Sequence, residues 1–207
     1  MALNIALTKG RLEISSLDLF EKAGFNCSFR NNKGRKLIFK DLDNDISYFL
    51  VKANDAITYV EHGVADLAVV GKDSLLESSS NYYELLDLNI GKCKFILAGL
   101  KDNNIFSNSG HIKIATKYPK VAKGYFKTKN MDVEIIKIEG SVEIAPLIGL
   151  CNGIVDIMET GTTLKENGLI VLDEILNISA RLIANRASFN LKQKEIVNFL
   201  ERISSIC

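Results

Sequence analysis

The sequence GVADLAVVG at residues 63–71 shares a spaced frame with GIVDIMETG at residues 153–161. Each copy has a glycine, an aspartate three residues later and a second glycine eight residues after the first. The frame indicates a helix closed by a glycine, an aspartate in the turn, a buried strand and a glycine-containing loop. Two copies predict two lobes of similar construction. Chance is the alternative, because a three-position frame is easily met in α/β proteins.

Short apolar runs rich in β-branched residues alternate with helical patterns along the rest of the chain. Strands are predicted at 3–7, 47–51, 67–70, 95–100, 112–116, 133–138, 154–158 and 169–172. Helices are predicted at 12–23, 55–62, 74–77, 119–129, 145–152 and 191–203, with a helical turn at 164–167. Strands and helices in alternation predict the α/β class with mostly parallel sheets.

The positions of these elements predict where the lobes divide. The first lobe is expected at residues 1–88 together with 174–207, and the second at 89–173. Segment 174–186 alternates well enough to be one strand, which would return the chain to the first lobe. Ligands are then expected in a cleft between the lobes, at the carboxyl ends of strands.

Composition excludes several classes of protein. The chain has 207 residues, of which 47% are hydrophobic and 25% charged, so disorder is not expected. Its net charge of +1 gives no general attraction to nucleic acid or to acidic membranes. The uncharged run 144–155 is too short for the ~20 residues that span a bilayer. Four scattered cysteines without a CxxC pair, and no export segment, favour reduced thiols in the cytoplasm.

The sequence TGTT at 160–163 is the strongest local signal for chemistry. It follows an apolar strand and precedes a helical turn, so backbone N–H groups and the hydroxyls of Thr160, Thr162 and Thr163 could form a phosphate cradle. Gly161 would let the backbone approach the anion closely. An ordinary threonine-capped helix is the alternative. Asp156 and Glu159 beside this loop would suit ribose hydroxyls or a magnesium-bound ligand, although Asp156 is also the turn residue of the repeated frame.

Basic loops follow other predicted strands. Lys9 and Arg11 flank a glycine after the first strand, a layout that suits a polyphosphate or, equally, a solvated loop. Arg35 and Lys52 are further cationic candidates, although most exposed basic residues bind nothing specific. Asp73 occupies the equivalent place after strand 67–70, where it could simply cap a helix.

Two further features concern the second predicted lobe. Pro146 is tolerated within a helix only in the first turn, so a helix is expected to begin near it. Glu143 is then expected in the preceding loop at the cleft. The alternative is a first-turn glutamate that interacts with the helix dipole. Lys120, Lys123 and Lys127 share one face of the predicted helix, which is read as solvated because it lacks the aromatic residues of a nucleic-acid surface. These three residues belong to a longer lysine-rich stretch. Its members are Lys113, Lys117, Lys120, Lys123 and Lys127.

Four stretches together resemble the ATP phosphoribosyltransferase family, in the family's order. They are ALTKGRL at 6–12, YVEHGVADLAVVGKDSLLE at 59–77, IATKYP at 114–119 and EGSVEIAPLIGLCNGIVDIMETGTTLKENGL at 139–169. The resemblance implies two lobes built like a type II periplasmic binding protein. It also implies a reaction in which N1 of ATP is joined to C1 of phosphoribosyl pyrophosphate, with release of pyrophosphate and with Mg²⁺ chelated by substrate. This is the first step of histidine biosynthesis.

The resemblance also implies roles for individual residues. Residues 159–163 match the loop that holds the 5-phosphate and ribose of the donor, and Lys9, Arg11, Arg35 and Lys52 match positions that contact triphosphate or pyrophosphate oxygens. The first lobe would then be the ATP side and the second the phosphoribosyl pyrophosphate side. Lys9, Arg35 and Lys52 are expected to be catalytic. The expected substrate-binding residues are Arg11, Asp73, Glu143, Asp156, Glu159, Thr160, Gly161, Thr162 and Thr163.

The same resemblance shows two positions at which this sequence differs from the family's usual residues, and it implies a protein partner. Thr8 stands where the family usually has proline, which should loosen a turn, and Lys52 stands where arginine is usual, so a bidentate contact would become a single one. The chain resembles the family's short form, which works in a hetero-oligomer with a regulatory subunit resembling histidyl-tRNA synthetase. A solute-binding module and a phosphoribosyltransferase for another base are the competing interpretations.

Overall fold

The computed structural model describes residues 2–32, 34–79, 81–101, 105–107 and 111–207. The chain divides into a first unit, Met1–Gly91 with Ser179–Cys207, and a second unit, Lys92–Ile178. The described strands are β1 Leu3–Thr8, β2 Ile38–Asp41, β3 Ile46–Val51, β4 Leu67–Gly71, β5 Tyr82–Asp87, β6 Cys93–Leu100, β7 Lys113–Thr116, β8 Glu134–Lys137, β9 Gly153–Met158, β10 Leu169–Ile178 and β11 Ala180–Asn185. The described α-helices are α1 Arg11–Lys22, α2 Ala53–Glu61, α3 Lys72–Glu77, α4 Pro119–Thr128, α5 Ile144–Leu147, α6 Thr162–Glu166, α7 Arg186–Leu191 and α8 Gln193–Ser204.

The first unit is built on a sheet of order β2-β3-β1-β4-β11-β5. Strands β3, β1 and β4 are parallel neighbours, and β5 runs in their direction because both β5 and β4 are antiparallel to β11. An aromatic cluster of Phe20, Phe25, Tyr48 and Phe199 fills the core between the sheet and helices α1 and α8. A second, smaller core lies under α2, whose Val60 is fully buried.

The second unit is built on a sheet of order β10-β6-β9-β7-β8. Four of these strands run in one direction and only β6 opposes them. The apolar strand residues Ile96, Ala115 and Ile154 pack with Leu164 of α6 in one buried cluster. Most strands of each sheet run in one direction, which confirms the predicted α/β class, and the sheets are mixed because β2, β11 and β6 run antiparallel to their neighbours. None of the described helices has the length and apolar character needed to cross a membrane.

The predicted strand at 174–186 is wrong, because two strands share that segment. Strand β10 pairs with β6 as far as Ile178, and β11 begins at Ala180 in the other sheet. Ser179 separates them, with its carbonyl accepting from the N–H of Lys72 at 3.1 Å. The two compact units are therefore joined at Gly91/Lys92 and at Ile178/Ser179. The predicted helix at 191–203 is confirmed as α8, and the short helix α7, which was not predicted, precedes it. The Asn185 side chain caps α7 by accepting from Ser188 N–H at 2.8 Å.

The repeated glycine–aspartate–glycine frame adopts two different local structures. Gly63 has a φ of +70° just after α2, and Asp66 precedes β4, as the frame predicts. Gly153 instead opens β9, where an added Cβ would collide with Ile105 and lie 2.9 Å from the Ala98 carbonyl oxygen. The predicted helix-closing role of Gly153 is therefore wrong.

The predicted helix at 145–152 ends much earlier than expected. It is the single turn α5, closed by Gly149 at a φ of +74°. The N–H of Gly149 bonds to the Pro146 carbonyl at 3.2 Å, and that of Leu150 bonds to the Ala145 carbonyl at 3.0 Å, which terminates the helix.

Candidate functional site

The carboxyl ends of the parallel strands bring basic residues together in the first unit. Thr8 of β1 is in register with Val51 of β3, so Lys9 and Lys52 leave the sheet side by side. The N–H of Lys9 bonds to the Val51 carbonyl at 2.9 Å, which fixes this edge. Both lysine side chains are exposed. Two of the predicted catalytic residues are therefore adjacent.

Arg35 reaches the same edge from the antiparallel strand β2. The N–H of Leu50 bonds to the Leu37 carbonyl at 2.9 Å, so the residues before Leu37 lie beside the end of β3. Arg35 is exposed there. Across this edge the order is Arg35, Lys52 and Lys9. None of the three forms an ion pair with a residue that the structure describes.

A helix N-terminus adds to the positive potential of this edge. Gly10 is the N-cap of α1, with a φ of 100° and a ψ of −145°, and no side chain caps the helix within the described part of the chain. No non-neighbouring atom of the described residues would lie within 4 Å of a Cβ added at Gly10, so the backbone conformation and not space requires glycine. Arg11 opens the helix and is exposed. The first-turn N–H groups and Arg11 together favour an anion.

The Thr8 hydroxyl ties two strands of this edge together. It donates to the Val69 carbonyl of β4 at 2.9 Å. A proline at this position would have no hydroxyl for that bond. The structure therefore shows an added inter-strand contact where the resemblance predicts a looser turn.

The passage from β4 directly into α3 is constrained by side-chain contacts. A side chain at Gly71 would collide with the carboxylate of Asp73, which folds back over residue 71. The Lys72 ammonium forms an ion pair with Glu84 at 2.6 Å, and Glu84 also forms an ion pair with Arg181 at 2.9 Å. Asp73 thus lies at the same edge as Lys9, while the charge of Lys72 is compensated within the protein.

The threonine-rich loop lies at the corresponding edge of the second unit. It follows β9, and Gly161 has a left-handed conformation with a φ of 79° and a ψ of 2°. Helix α6 begins at Thr162, two residues before the predicted turn at 164–167. The hydroxyls of Thr160 and Thr162 are 3.1 Å apart, and Thr160, Thr162 and Thr163 are all exposed. The structure therefore presents three hydroxyls around a helix start.

The three predicted acidic site residues of the second unit lie in different structural environments. Asp156 is a half-buried residue inside β9 and not in a turn, and its Oδ1 accepts from the N–H of Ile157 at 2.8 Å. Glu159 is exposed at the start of the threonine loop. Glu143 is half-buried and is the N-cap residue of α5, so it is in the loop before that helix, as predicted.

The arrangement of the potential metal-ligating side chains indicates how a metal ion could be bound. No three His, Cys, Asp or Glu residues come together in the part of the chain that the structure describes. Carboxylates such as Asp156 and Glu159, which are not part of such a cluster, suit an ion that takes most of its other ligands from phosphate oxygens and water.

One basic residue at the second edge, Lys117, is not among the site residues that the sequence predicts. Lys117 follows Thr116, the last residue of β7, and precedes α4. Strand β7 is in register with β9, so Lys117 lies at the edge from which the threonine loop extends. The signal that could have found it is the Thr-Lys pair after a predicted strand, which occurs at 8–9 and again at 116–117.

Comparison with known proteins gives a consistent family. The model of the HisG family, ATP phosphoribosyltransferase, matches residues 52–205. An ATP phosphoribosyltransferase of Clostridium kluyveri is 57% identical over 97% of this chain and 92% of its own length. One from Clostridium acetobutylicum is 54% identical over 98% of this chain and 94% of its own length.

Solved structures agree with this comparison. A chain of the ATP phosphoribosyl transferase (HisG:HisZ) complex from Thermotoga maritima is 37% identical, with a TM-score of 0.81 over 99% of this chain and 98% of that one. The periplasmic aliphatic sulphonate binding protein SsuA from Escherichia coli is 13% identical, with a TM-score of 0.60 over 98% of this chain and 72% of that one. That second likeness shows the fold alone, which is of the type II periplasmic-binding-protein kind.

Proposed function

Because this chain belongs to the ATP phosphoribosyltransferase family, we propose how its residues divide the work of that reaction. The reaction joins N1 of ATP to C1 of phosphoribosyl pyrophosphate, releases pyrophosphate and is the first step of histidine biosynthesis. The enzyme is a pentosyltransferase.

The row of cations at the edge of the first unit carries the proposal. Lys52 and Lys9 follow the ends of β3 and β1, and Arg35 precedes the antiparallel strand β2 at the same edge. None of the three forms an ion pair with described residues, so their charges are available to an anion. We assign them to triphosphate and pyrophosphate oxygens, with Arg11 and the start of α1 beside them. Asp73 is assigned to the same substrate edge. The first unit is then the ATP side.

The threonine loop of the second unit is assigned to the donor sugar. The hydroxyls of Thr160, Thr162 and Thr163 would bind the 5-phosphate, and Gly161 gives the loop its shape. The carboxylates of Asp156, Glu159 and Glu143 would bind ribose hydroxyls or stabilise positive charge that develops on the ring. The second unit is then the phosphoribosyl pyrophosphate side.

These residues suit a displacement at an anomeric carbon. Pyrophosphate leaves readily once cations neutralise it, so the protein needs no strong nucleophile of its own. Holding N1 in line with C1 can lower the barrier by ~7–11 kcal/mol. Cations on the departing oxygens and carboxylates near the oxocarbenium-like ribose add electrostatic stabilisation.

The family needs a divalent metal ion, and we assign Mg²⁺ chelated by the substrate phosphates. When bound, Mg²⁺ would neutralise the charge of the leaving pyrophosphate. Asp156 and Glu159 are the carboxylates beside the threonine loop that could contribute ligands.

We also propose a hetero-oligomer with a regulatory subunit resembling histidyl-tRNA synthetase, in the cytoplasm. The support is the likeness to a chain from the HisG:HisZ complex of Thermotoga maritima, which covers 98% of that chain. Feedback by histidine would then act through the partner.

Incubation of the full chain with ATP, phosphoribosyl pyrophosphate and Mg²⁺ tests the function. We expect a product whose ultraviolet absorbance requires both substrates, measured with and without a candidate regulatory subunit. Product formed with another base in place of ATP would indicate a different phosphoribosyltransferase. Binding of a solute with no turnover under either condition would indicate a solute-binding module.

A further inference from the structure

Two threonine hydroxyls make the same hydrogen bond in the two units. Thr8, the last residue of β1, donates to the Val69 carbonyl of the parallel neighbour β4 at 2.9 Å. Thr116, the last residue of β7, donates to the Val155 carbonyl of the parallel neighbour β9 at 2.6 Å. The neighbouring strand leads into a segment of the proposed site in each case: β4 into the first turn of α3, which contains Asp73, and β9 into the threonine loop. The arrangement joins the ends of two site-bearing strands.

The backbone on both sides of Lys117 is held firmly. The N–H of Tyr118 donates to the Thr116 hydroxyl at 2.8 Å, and the Thr116 carbonyl accepts from Ile138 N–H at 3.0 Å. The buried Tyr118 ring packs edge-on against Phe95, with 5.0 Å between ring centroids. The Lys117 side chain is exposed, with its ammonium 5.9 Å from the Tyr118 ring centroid. The backbone that carries the Lys117 side chain is therefore held in one position, while the ammonium is exposed.

The charge of Lys117 is not paired within the described residues. The nearby carboxylate of Glu139 is bound by Lys137 at 2.6 Å. That hydrogen bond and the charge of Lys137 hold the pKa of Glu139 below its ordinary value, and the charge of Lys117 acts in the same direction. The ammonium of Lys117 thus remains available to a ligand.

We propose that Lys117 contacts a phosphate group of phosphoribosyl pyrophosphate, and that Thr116 is the positioning residue that holds it. The inference rests on the proposed assignment of residues 159–163 to that substrate. Thr116 and Val155 are in register, so Lys117 and the threonine loop leave the sheet at one edge. The loop contains hydroxyls and one carboxylate but no cation. Lys117 supplies that missing positive charge, as Lys9 does after the equivalent threonine of the first unit.

Steady-state kinetics of the full chain with Lys117→Ala test the contact. We expect the KM for phosphoribosyl pyrophosphate to rise ~10-fold or more, with the KM for ATP and the melting temperature unchanged, and Lys117→Arg to restore most of the loss. Lys123→Ala is the matched control, because Lys123 is an exposed lysine of the adjacent helix α4. A Lys117→Ala enzyme with the KM values of Lys123→Ala overturns the inference. Absence of product from the unmodified chain would instead overturn the proposed function.

Two substitutions separate positioning by Thr116 from a general role in folding. Thr116→Ser keeps the hydroxyl and should keep the KM for phosphoribosyl pyrophosphate. Thr116→Val removes it and should raise that KM while leaving the KM for ATP unchanged. A folded Thr116→Val enzyme with wild-type KM values overturns the positioning role. If Thr116→Val fails to fold, the contact with phosphoribosyl pyrophosphate is still tested by the Lys117 variants. Lys117 is exposed, so its substitution should not prevent folding.

Discussion

Lys192 and Asp66 form an ion pair of 2.7 Å in which the carboxylate is only 3% exposed. The same carboxylate oxygen accepts from the N–H of Asn4 at 2.8 Å. The ammonium of Lys192 also donates to the Ala2 carbonyl at 2.7 Å. The pair therefore joins the start of β1, the start of β4 and the segment between α7 and α8.

Removing one partner of this pair should destabilise the fold strongly. Asp66→Ala leaves a partly buried ammonium and an unpaired backbone N–H, and we expect a loss of about 3 kcal/mol or more in the free energy of unfolding. Urea denaturation measures it. Glu174→Ala is the control, because its 2.5 Å pair with Lys94 is exposed and should contribute about 0–1 kcal/mol. Equal losses in the two variants would contradict the structural role of Asp66.

The strands that the sequence pattern missed are the ones at the edges of the first sheet. Strand β2 has the sequence IFKD and β5 has YYELLD, and each ends one side of that sheet. An edge strand is not buried on both faces, so it lacks the continuous apolar run of β4, which was located to within one residue. Periodicity therefore located the central strands, and with them the loops after β1, β3, β4 and β9.

The arrangement of the candidate site depended on information that spacing does not contain. Lys9 and Lys52 were each marked by a strand end, but their adjacency follows from the pairing of β1 with β3. Arg35 reaches the same edge only because β2 turns back antiparallel to β3. Lys117 belongs to a lysine-rich stretch in which residue type alone does not distinguish it, and its place beside the threonine loop follows from the pairing of β7 with β9.

Gly161→Ala should damage both stability and substrate binding. Gly161 has a φ of +79°, and an added Cβ would lie 3.1 Å from Met158 Sδ. We expect a loss of about 1–2 kcal/mol from the backbone strain and a higher KM for phosphoribosyl pyrophosphate, because the threonine loop changes shape. Denaturation and steady-state kinetics measure the two effects.

The matched control for this change is Gly124→Ala in α4. Apart from the helix's own backbone and the two neighbouring residues, no atom in the described part of the chain lies within 4 Å of its added Cβ. The helix interior favours alanine by up to ~1 kcal/mol. Gly124→Ala should therefore keep the kinetics and gain stability. A Gly161→Ala enzyme with unaltered kinetics would argue against a binding role for the loop.

Arg35→Ala and Thr162→Val should lower turnover far more than they lower stability. Both residues are exposed, so neither truncation opens a cavity. Each removes hydrogen bonds to a charged substrate group, a loss of ~10-fold or more in kcat/KM per residue. Kinetics and thermal unfolding of each variant and of the double variant check this. Unchanged kinetics in the folded double variant would refute the site assignment.

Tyr125→Phe should cost stability in a pH-dependent way. The Tyr125 hydroxyl donates to Asp173 at 2.6 Å, and that bond, together with Lys129, holds the pKa of Asp173 below its ordinary value of 3.8. A carboxylate whose pKa is lower in the folded state stabilises the fold above about pH 4, and this contribution falls as the pH drops further. Tyr125→Phe should therefore cost about 1 kcal/mol at pH 7 and less at pH 3.

Urea denaturation at pH 7, 5 and 3 measures that difference. Tyr59→Phe is the control, because Tyr59 is 38% exposed on α2 and should change stability little at any pH. A cost of Tyr125→Phe that is the same at pH 7 and pH 3 would show that the hydrogen bond does not depend on the ionised carboxylate.

Lys52 offers a test of the proposed anion contacts at the first unit's edge. Its side chain is exposed where β3 passes into α2, beside Lys9. Lys52→Ala should lower kcat/KM ~10–100-fold, since a bond to a charged group is lost. Lys52→Arg should retain activity, because a guanidinium can make the same contact and add a second one. Lys22→Ala, an exposed lysine at the far end of α1, should match the unmodified enzyme. Lys52→Ala kinetics equal to those of Lys22→Ala would remove Lys52 from the catalytic residues, because an ammonium that contacts the departing pyrophosphate cannot be deleted without a cost in rate.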